Sequence, residues 1–137
     1  MDTAAVRRFL LDTHGDTITE TLRCADAVRA AWDGETVTDR AQVVKPFRAL
    51  LGKRGLLDQY PTLLAGAVEA GGERLQAPSV AAPPYVIVTS TGPVLRATLP
   101  EGRLVIRIEA FRVAGRSPPS YSRTETSSDD ALSVDYR

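Results

Sequence analysis

With 137 residues, 43% of them hydrophobic and 25% charged, the chain is long and apolar enough to bury a core, which excludes wholesale disorder. Seventeen basic and seventeen acidic residues cancel, and evenly so: nine against ten over residues 1–72, eight against seven over 73–137. No global field therefore steers the chain toward nucleic acid or membrane, and a single cysteine, Cys24, excludes an internal disulfide.

Placed on a helical wheel, Val6, Leu10, His14, Ile18, Leu22, Ala25, Val28 and Trp32 share an arc of about 160°, which predicts one long amphipathic helix over residues 3–32. Gly15 and the capping pattern Thr17-Ile18-Thr19-Glu20 offer a break near His14, but the apolar stripe keeps its phase across them and favours continuity. Asp33-Gly34 is the expected exit. Thr38 or Asp39 caps a second helix whose Val43, Val44, Phe47, Leu50 and Leu51 form the buried side, with Pro46 either kinking it or standing in its first turn. A third helix is expected to start near Pro61 and to stop at Gly71-Gly72.

Residues 76–84 carry three prolines and small side chains and read as an extended connector. Beyond it the hydrophobic period changes to two. Strands are expected at Tyr85–Ser90, at Val94–Leu99 and from Arg103, joined by turns at Thr91-Gly92-Pro93 and Pro100-Glu101-Gly102. In the third strand Leu104, Ile106, Ile108 and Ala110 alternate with Arg103, Arg107 and Glu109, the pattern of a sheet with one dry and one wet face. Residues 115–130 read as a polar, mobile loop, and Leu132, Val134 and Tyr136 alternate as a fourth strand at the sheet edge.

The fold class that follows is α+β: N-terminal helices packed on one face of a C-terminal antiparallel sheet of about four strands. The expected organisation is one domain over residues 1–137, with helices over residues 1–75, the connector over 76–84 and the sheet over 85–137. No apolar run approaches the roughly 18 residues of a spanning helix, and Met1-Asp2-Thr3 opens directly into charged sequence, so no membrane partner and a cytoplasmic location are expected.

Chemistry-bearing residues are few. Asp12-Thr13-His14-Gly15-Asp16 resembles the Asp-x-His start of calcineurin-like metallophosphoesterases, yet the further His and Asn ligands of that family are missing, so His14 reads as a core-edge residue and no metal site is expected. Cys24 lies ten residues beyond His14, roughly 15 Å along a continuous helix, too far for a nucleophile and its base. Gly52-Lys53-Arg54-Gly55 lacks the spacing and the hydroxyl of a phosphate-binding loop.

The strongest electrostatic signal is Arg40, Lys45, Arg48, Lys53 and Arg54, five cations in fifteen residues with no acid among them. Such a helix face suits a phosphate backbone or an acidic protein. Three helices followed by a hairpin is also the order of a winged helix, although the would-be recognition helix Pro61–Ala70 carries no Arg, Lys, Asn or Gln to read a base. The wet sheet face, with Arg96, Arg103, Arg107, Glu109 and Tyr85, is a further surface for contact, but its aromatics are too few for an RNA-stacking sheet.

Fifteen arginines against two lysines suggest a high-GC genome. With the segments Val6-Arg7-Arg8-Phe9-Leu10, Thr36-Val37-Thr38-Asp39-Arg40 and Ala82-Pro83-Pro84-Tyr85-Val86-Ile87-Val88-Thr89-Ser90, the chain resembles small uncharacterised proteins of haloarchaea over most of its length. That resemblance implies no activity. The expected function is non-catalytic: a small intracellular interaction or regulatory adaptor, without cofactor, meeting a partner protein through the 40–54 helix or an edge strand. The alternative is a nucleic-acid-binding accessory protein of winged-helix type using the same basic helix, and an enzyme working with acidic residues alone stands third.

Overall fold

Asp2 starts the first helix, its carboxylate accepting the Ala5 N–H at 3.0 Å. In the computed structural model, which describes residues 1–137, this helix, α1, runs Thr3–Ala30 and buries Val6, Leu10, Ile18, Leu22, Ala25 and Val28, the stripe expected from the wheel. Two helical stretches meet in it at a kink, where His14 leaves helical geometry at φ −120°, ψ 21°; the buried stripe keeps its phase as expected, and the backbone bends where the break was the alternative. The helix closes at Ala30, before Trp32 and the expected Asp33-Gly34 exit.

Helix α2 spans Ala41–Lys53, with the Ala41 N–H donated to the Asp39 carboxylate at 2.9 Å. Pro46 lies within it rather than at its start. Helix α3 spans Leu56–Ala70, so the expected start near Pro61 is corrected by a full turn. Gly55, at φ 75°, lets the chain reverse immediately after α2, and the earlier start buries Leu56 and Tyr60 in the core. Burial outweighs the one backbone bond that Pro61 deletes. At the other end of α3, Gly66 permits close approach to α1, since a Cβ there would stand 2.6 Å from Cζ of Phe9.

The connector 76–84 forms no helix or strand and is tied down by the Ser79 hydroxyl donating to the Pro61 carbonyl at 3.0 Å. Beyond a two-residue strand β1 at Thr36–Val37, the strands are β2 Val86–Val88, β3 Pro93–Leu99, β4 Gly102–Ile108, β5 Phe111–Ala114, β6 Ser120–Arg123 and β7 Leu132–Tyr136. They form a four-stranded sheet of order β2-β3-β4-β7 and a three-stranded one of order β1-β6-β5, all pairs antiparallel. The expected meander with a fourth strand at its edge is therefore present.

The second sheet was not foreseen. The third strand of the meander ends at Ile108, not Ala110, because the Ala110 and Phe111 N–H groups both turn to the Thr91 carbonyl, and the chain then changes sheets. Residues 115–130 are not the simple loop expected of them. They hold β6 and a one-turn helix α4, Ser128–Ala131, capped by the Ser127 hydroxyl. Tyr121 is buried there, and Arg123, its side chain only 4% exposed, donates to Asp26 of α1 at 2.9 Å and to the Ala110 carbonyl at 2.9 Å.

Helices α1 and α3 lie on the sheet face that carries Val86, Leu95, Ala97, Leu104, Ile106 and Leu132. The Phe111 ring joins the second sheet to this core, packing edge-on to Phe47 of α2 at 5.3 Å and against Trp32 at 5.8 Å. Within the helical layer, Thr21 and Tyr60 share a buried 2.7 Å hydrogen bond, and burial raises the Tyr60 hydroxyl well above the usual phenol range.

Candidate functional site

Strand alternation places Tyr85, Ile87, Val94, Arg96, Thr98, Arg103, Val105, Arg107, Ser133, Asp135 and Arg137 on the face of the four-stranded sheet opposite the helices. Register then arranges them in rows across the strands. Thr98 lies opposite Arg103, which exchanges two 2.9 Å backbone bonds with Arg137; one pleat further on come Arg96, Val105 and Asp135, and then Val94, Arg107 and Ser133. Arg96 in turn donates its backbone N–H to the Tyr85 carbonyl at 2.8 Å, so Tyr85 ends the middle row.

Four arginines thus share this face with one carboxylate within the paired strands, Asp135, while Glu109, the residue after β4, continues the same alternation beyond Arg107. Asp135 accepts from Arg107 at 3.2 Å and stands 3.7 Å from Arg137, whereas Arg96 and Arg103 have no acidic partner. Like charges directly opposite one another across strands are unfavourable, and Arg103 and Arg137 are such a pair. Val105 is only 2% exposed and Val94 8%, although no helix crosses them. Arginines flank both valines in the strand register, and arginine methylenes commonly lie along apolar surface while their charged ends seek water. One of these ends is incompletely satisfied: the Arg96 Nε–H is buried without a protein acceptor. Beside the β3–β4 turn, Thr98, Leu99, Gly102, Arg103 and Arg137 line a recess of about 300 Å³.

The edge of this sheet is also open. Because Arg103 and Arg137 exchange both bonds, the N–H and C=O groups of Leu132, Val134 and Tyr136 point away from β4. Leu132 is satisfied on that side by the Ser128 carbonyl and by Arg7, whose guanidinium donates to Leu132 O at 2.7 Å and also meets the Asp129 carbonyl. Val134 and Tyr136 have no such partners.

The five cations singled out in the sequence are all exposed, but the fold does not gather them. Lys45 and Arg48 share one side of α2, three residues apart, while Lys53 lies about 80° further round from Lys45. Arg40 precedes the helix, and Arg54 turns to α1, 3.6 Å from Glu20, which also holds Arg23. Since the helices lie under the sheet's other face, none of these groups joins Arg96, Arg103 and Arg107.

The chain belongs to the family described as Domain of unknown function (DUF7988), whose model matches residues 4–137. No curated protein and no solved structure shows detectable similarity to it.

His14 and Cys24 are set in different surroundings. The imidazole packs edge-on against Phe9 at 5.2 Å, and desolvation lowers its pKa below 6.5. Burial raises the pKa of the Cys24 thiol, opposed by Arg54 and reinforced by Glu20. Asp12 and Asp16 are exposed, and no three His, Cys, Asp or Glu side chains come together as metal ligands. The wet face named Arg96, Arg103, Arg107 and Tyr85 in advance. Reading the sequence did not join Arg137 to this face, and it missed the structural roles of Arg7 and Arg123, whose partners lie 125 and 97 residues away.

Proposed function

We propose that this chain is a non-catalytic interaction domain, an adaptor or regulatory module, that docks a partner protein on the outer face and free edge of its four-stranded sheet. The observation that carries this reading is the set Arg96, Arg103, Arg107 and Arg137 on a face without a helical cover, where Asp135 is the one carboxylate that pairs with any of them. Arginine forks suit carboxylates in planar, paired geometry, so an acidic protein surface is the complement. Its non-catalytic character is supported by the state of the two most reactive side chains. A thiol with a raised pKa is a poor nucleophile, and Cys24 and His14 stand ten residues apart on α1. A single unpaired thiol and the Arg-rich, Lys-poor composition fit a cytoplasmic protein of archaeal origin.

The test is affinity capture from native lysate with the wild-type chain, with R103E/R137E, and with K45E/R48E. The sheet variant should lose the captured protein and the α2 variant should keep it. Capture that survives R103E/R137E but is lost with K45E/R48E sinks the reading in favour of the basic helix. Recovery of nucleic acid alone, with affinity falling steeply as salt rises, replaces it with the nucleic-acid alternative.

A further inference from the structure

The geometry points to a specific occupant for this surface: an extended peptide segment that adds to β7 as a fifth strand and seats one acidic side chain between Arg137 and Arg103. This deepens the docking reading above and rests on it. Two independent features meet at the same place. One is the unpartnered backbone of Val134 and Tyr136, an N–H and a C=O from each residue facing outward. The other is the guanidinium pair that begins at the very next residue, with the Thr98 hydroxyl completing its row.

The remaining strand edges are less available. In β2, Val86 already donates to the Ala82 carbonyl; in β5, Phe111 donates to Thr91; and β1 has only two residues. On β7 the obstruction stops at Leu132, where Arg7 and Ser128 take up the outward groups. An incoming antiparallel strand would therefore bond Val134 and Tyr136, giving main-chain affinity without regard to sequence.

Selectivity comes from alternation. Residues of the added strand opposite Ser133, Asp135 and Arg137 share the arginine face, and cross-strand neighbours stand about 4.5–5.5 Å apart at Cβ. A carboxylate opposite Arg137 gains that guanidinium and brings Arg103, one strand further in, within reach of its long side chain. A carboxylate opposite Asp135 is repelled. The preferred segment thus carries one acid flanked two residues away by a neutral polar side chain, with β-branched residues between, beside Val134 and Tyr136 on the other face. It is an acidic strand, not a uniformly acidic one.

The probe is a blocked octapeptide alternating valine and threonine with a single central glutamate, compared with its glutamine twin and with a thymidine oligonucleotide of similar length. On the full chain, the glutamate peptide should slow solvent exchange of the Val134 and Tyr136 amides and bind about tenfold tighter than the glutamine twin. R103Q/R137Q should abolish that preference while leaving the amide protection. V134P, which removes an outward N–H and no ladder bond, should abolish protection; the wild-type exchange measurement decides the matter if that variant misfolds. Glutamate preference that depends on Arg103 and Arg137 but leaves both amides unprotected overturns strand addition while the docking face stands. Equal binding of both peptides to wild type and R103Q/R137Q, or displacement by the oligonucleotide at lower concentration, overturns both.

Discussion

The indole N–H of Trp32 donates, at 3.1 Å, to the Gln42 carbonyl, the one acceptor in α2 that Pro46 leaves without its helical donor. A helical N–H bonds the carbonyl four residues back, and proline has none to give. The side chain just beyond α1 therefore completes α2 from outside.

This relationship predicts a coupling. Trp32→Phe keeps a ring against Phe111 but loses the donor, and should cost about 1 kcal/mol in urea unfolding. Pro46→Ala supplies a backbone N–H to the same carbonyl, so the penalty for Trp32→Phe should shrink by about half or more in that background. Strict additivity of the two substitutions would mean that the Trp32 bond does not answer the Pro46 defect.

The end of the Phe9 ring on α1 packs directly over Gly66 of α3. Gly66→Ala should gain about 1 kcal/mol of helix propensity yet lose more, about 1–3 kcal/mol, by driving the Phe9 ring aside. In a Phe9→Ala background the same change should be stabilising. A chemical denaturation series on the four proteins reads the sign reversal directly, and a Gly66→Ala variant as stable as wild type would contradict the close approach.

Arg123 is the anchor of the polar C-terminal segment. Arg123→Met retains the stem but strips the donors to Asp26 and the Ala110 carbonyl, at an expected cost of about 1–3 kcal/mol. Asp26→Ala, at an exposed carboxylate, should cost under about 1 kcal/mol. Amide exchange of Ser120–Arg123 should accelerate in the first variant and hardly in the second. Unchanged exchange in Arg123→Met would show that β6 is held by its strand neighbours alone.

His14 gives the stability a pH dependence of known sign. Burial lowers its folded pKa below 6.5, so in the window below 6.5 the unfolded chain binds a proton that the folded one resists. Its contribution is complete above pH 6.5 and is lost as pH falls through the folded value. Urea midpoints at pH 7.5 and pH 5 should therefore fall less in His14→Gln than in wild type. Identical pH slopes for the two proteins would remove His14 as the cause.

What the sequence determined by itself was whatever has a local period. The stripe from Val6 to Val28 could only be buried as a helix, and Leu104, Ile106 and Ile108 could only face a core as a strand, because side chains repeating at 3.6 or 2 residues define one side of an element whatever lies opposite. The four arginines of the outer face were three-quarters legible in the same way, by alternation with those apolar residues. Tertiary structure alone decided the rest. Ser120–Arg123 has no apolar rhythm and becomes a strand through β1, β5 and an aspartate 97 residues earlier. The five cations between Arg40 and Arg54 were clustered in sequence, yet helical rotation and the pull of Glu20 on Arg54 dispersed them, while Arg103 and Arg137, 34 residues apart, were set side by side by the β4–β7 register. Pairing across strands is a long-range choice, fixed by which backbone edges meet when the core closes, and no short stretch of sequence holds both halves of it.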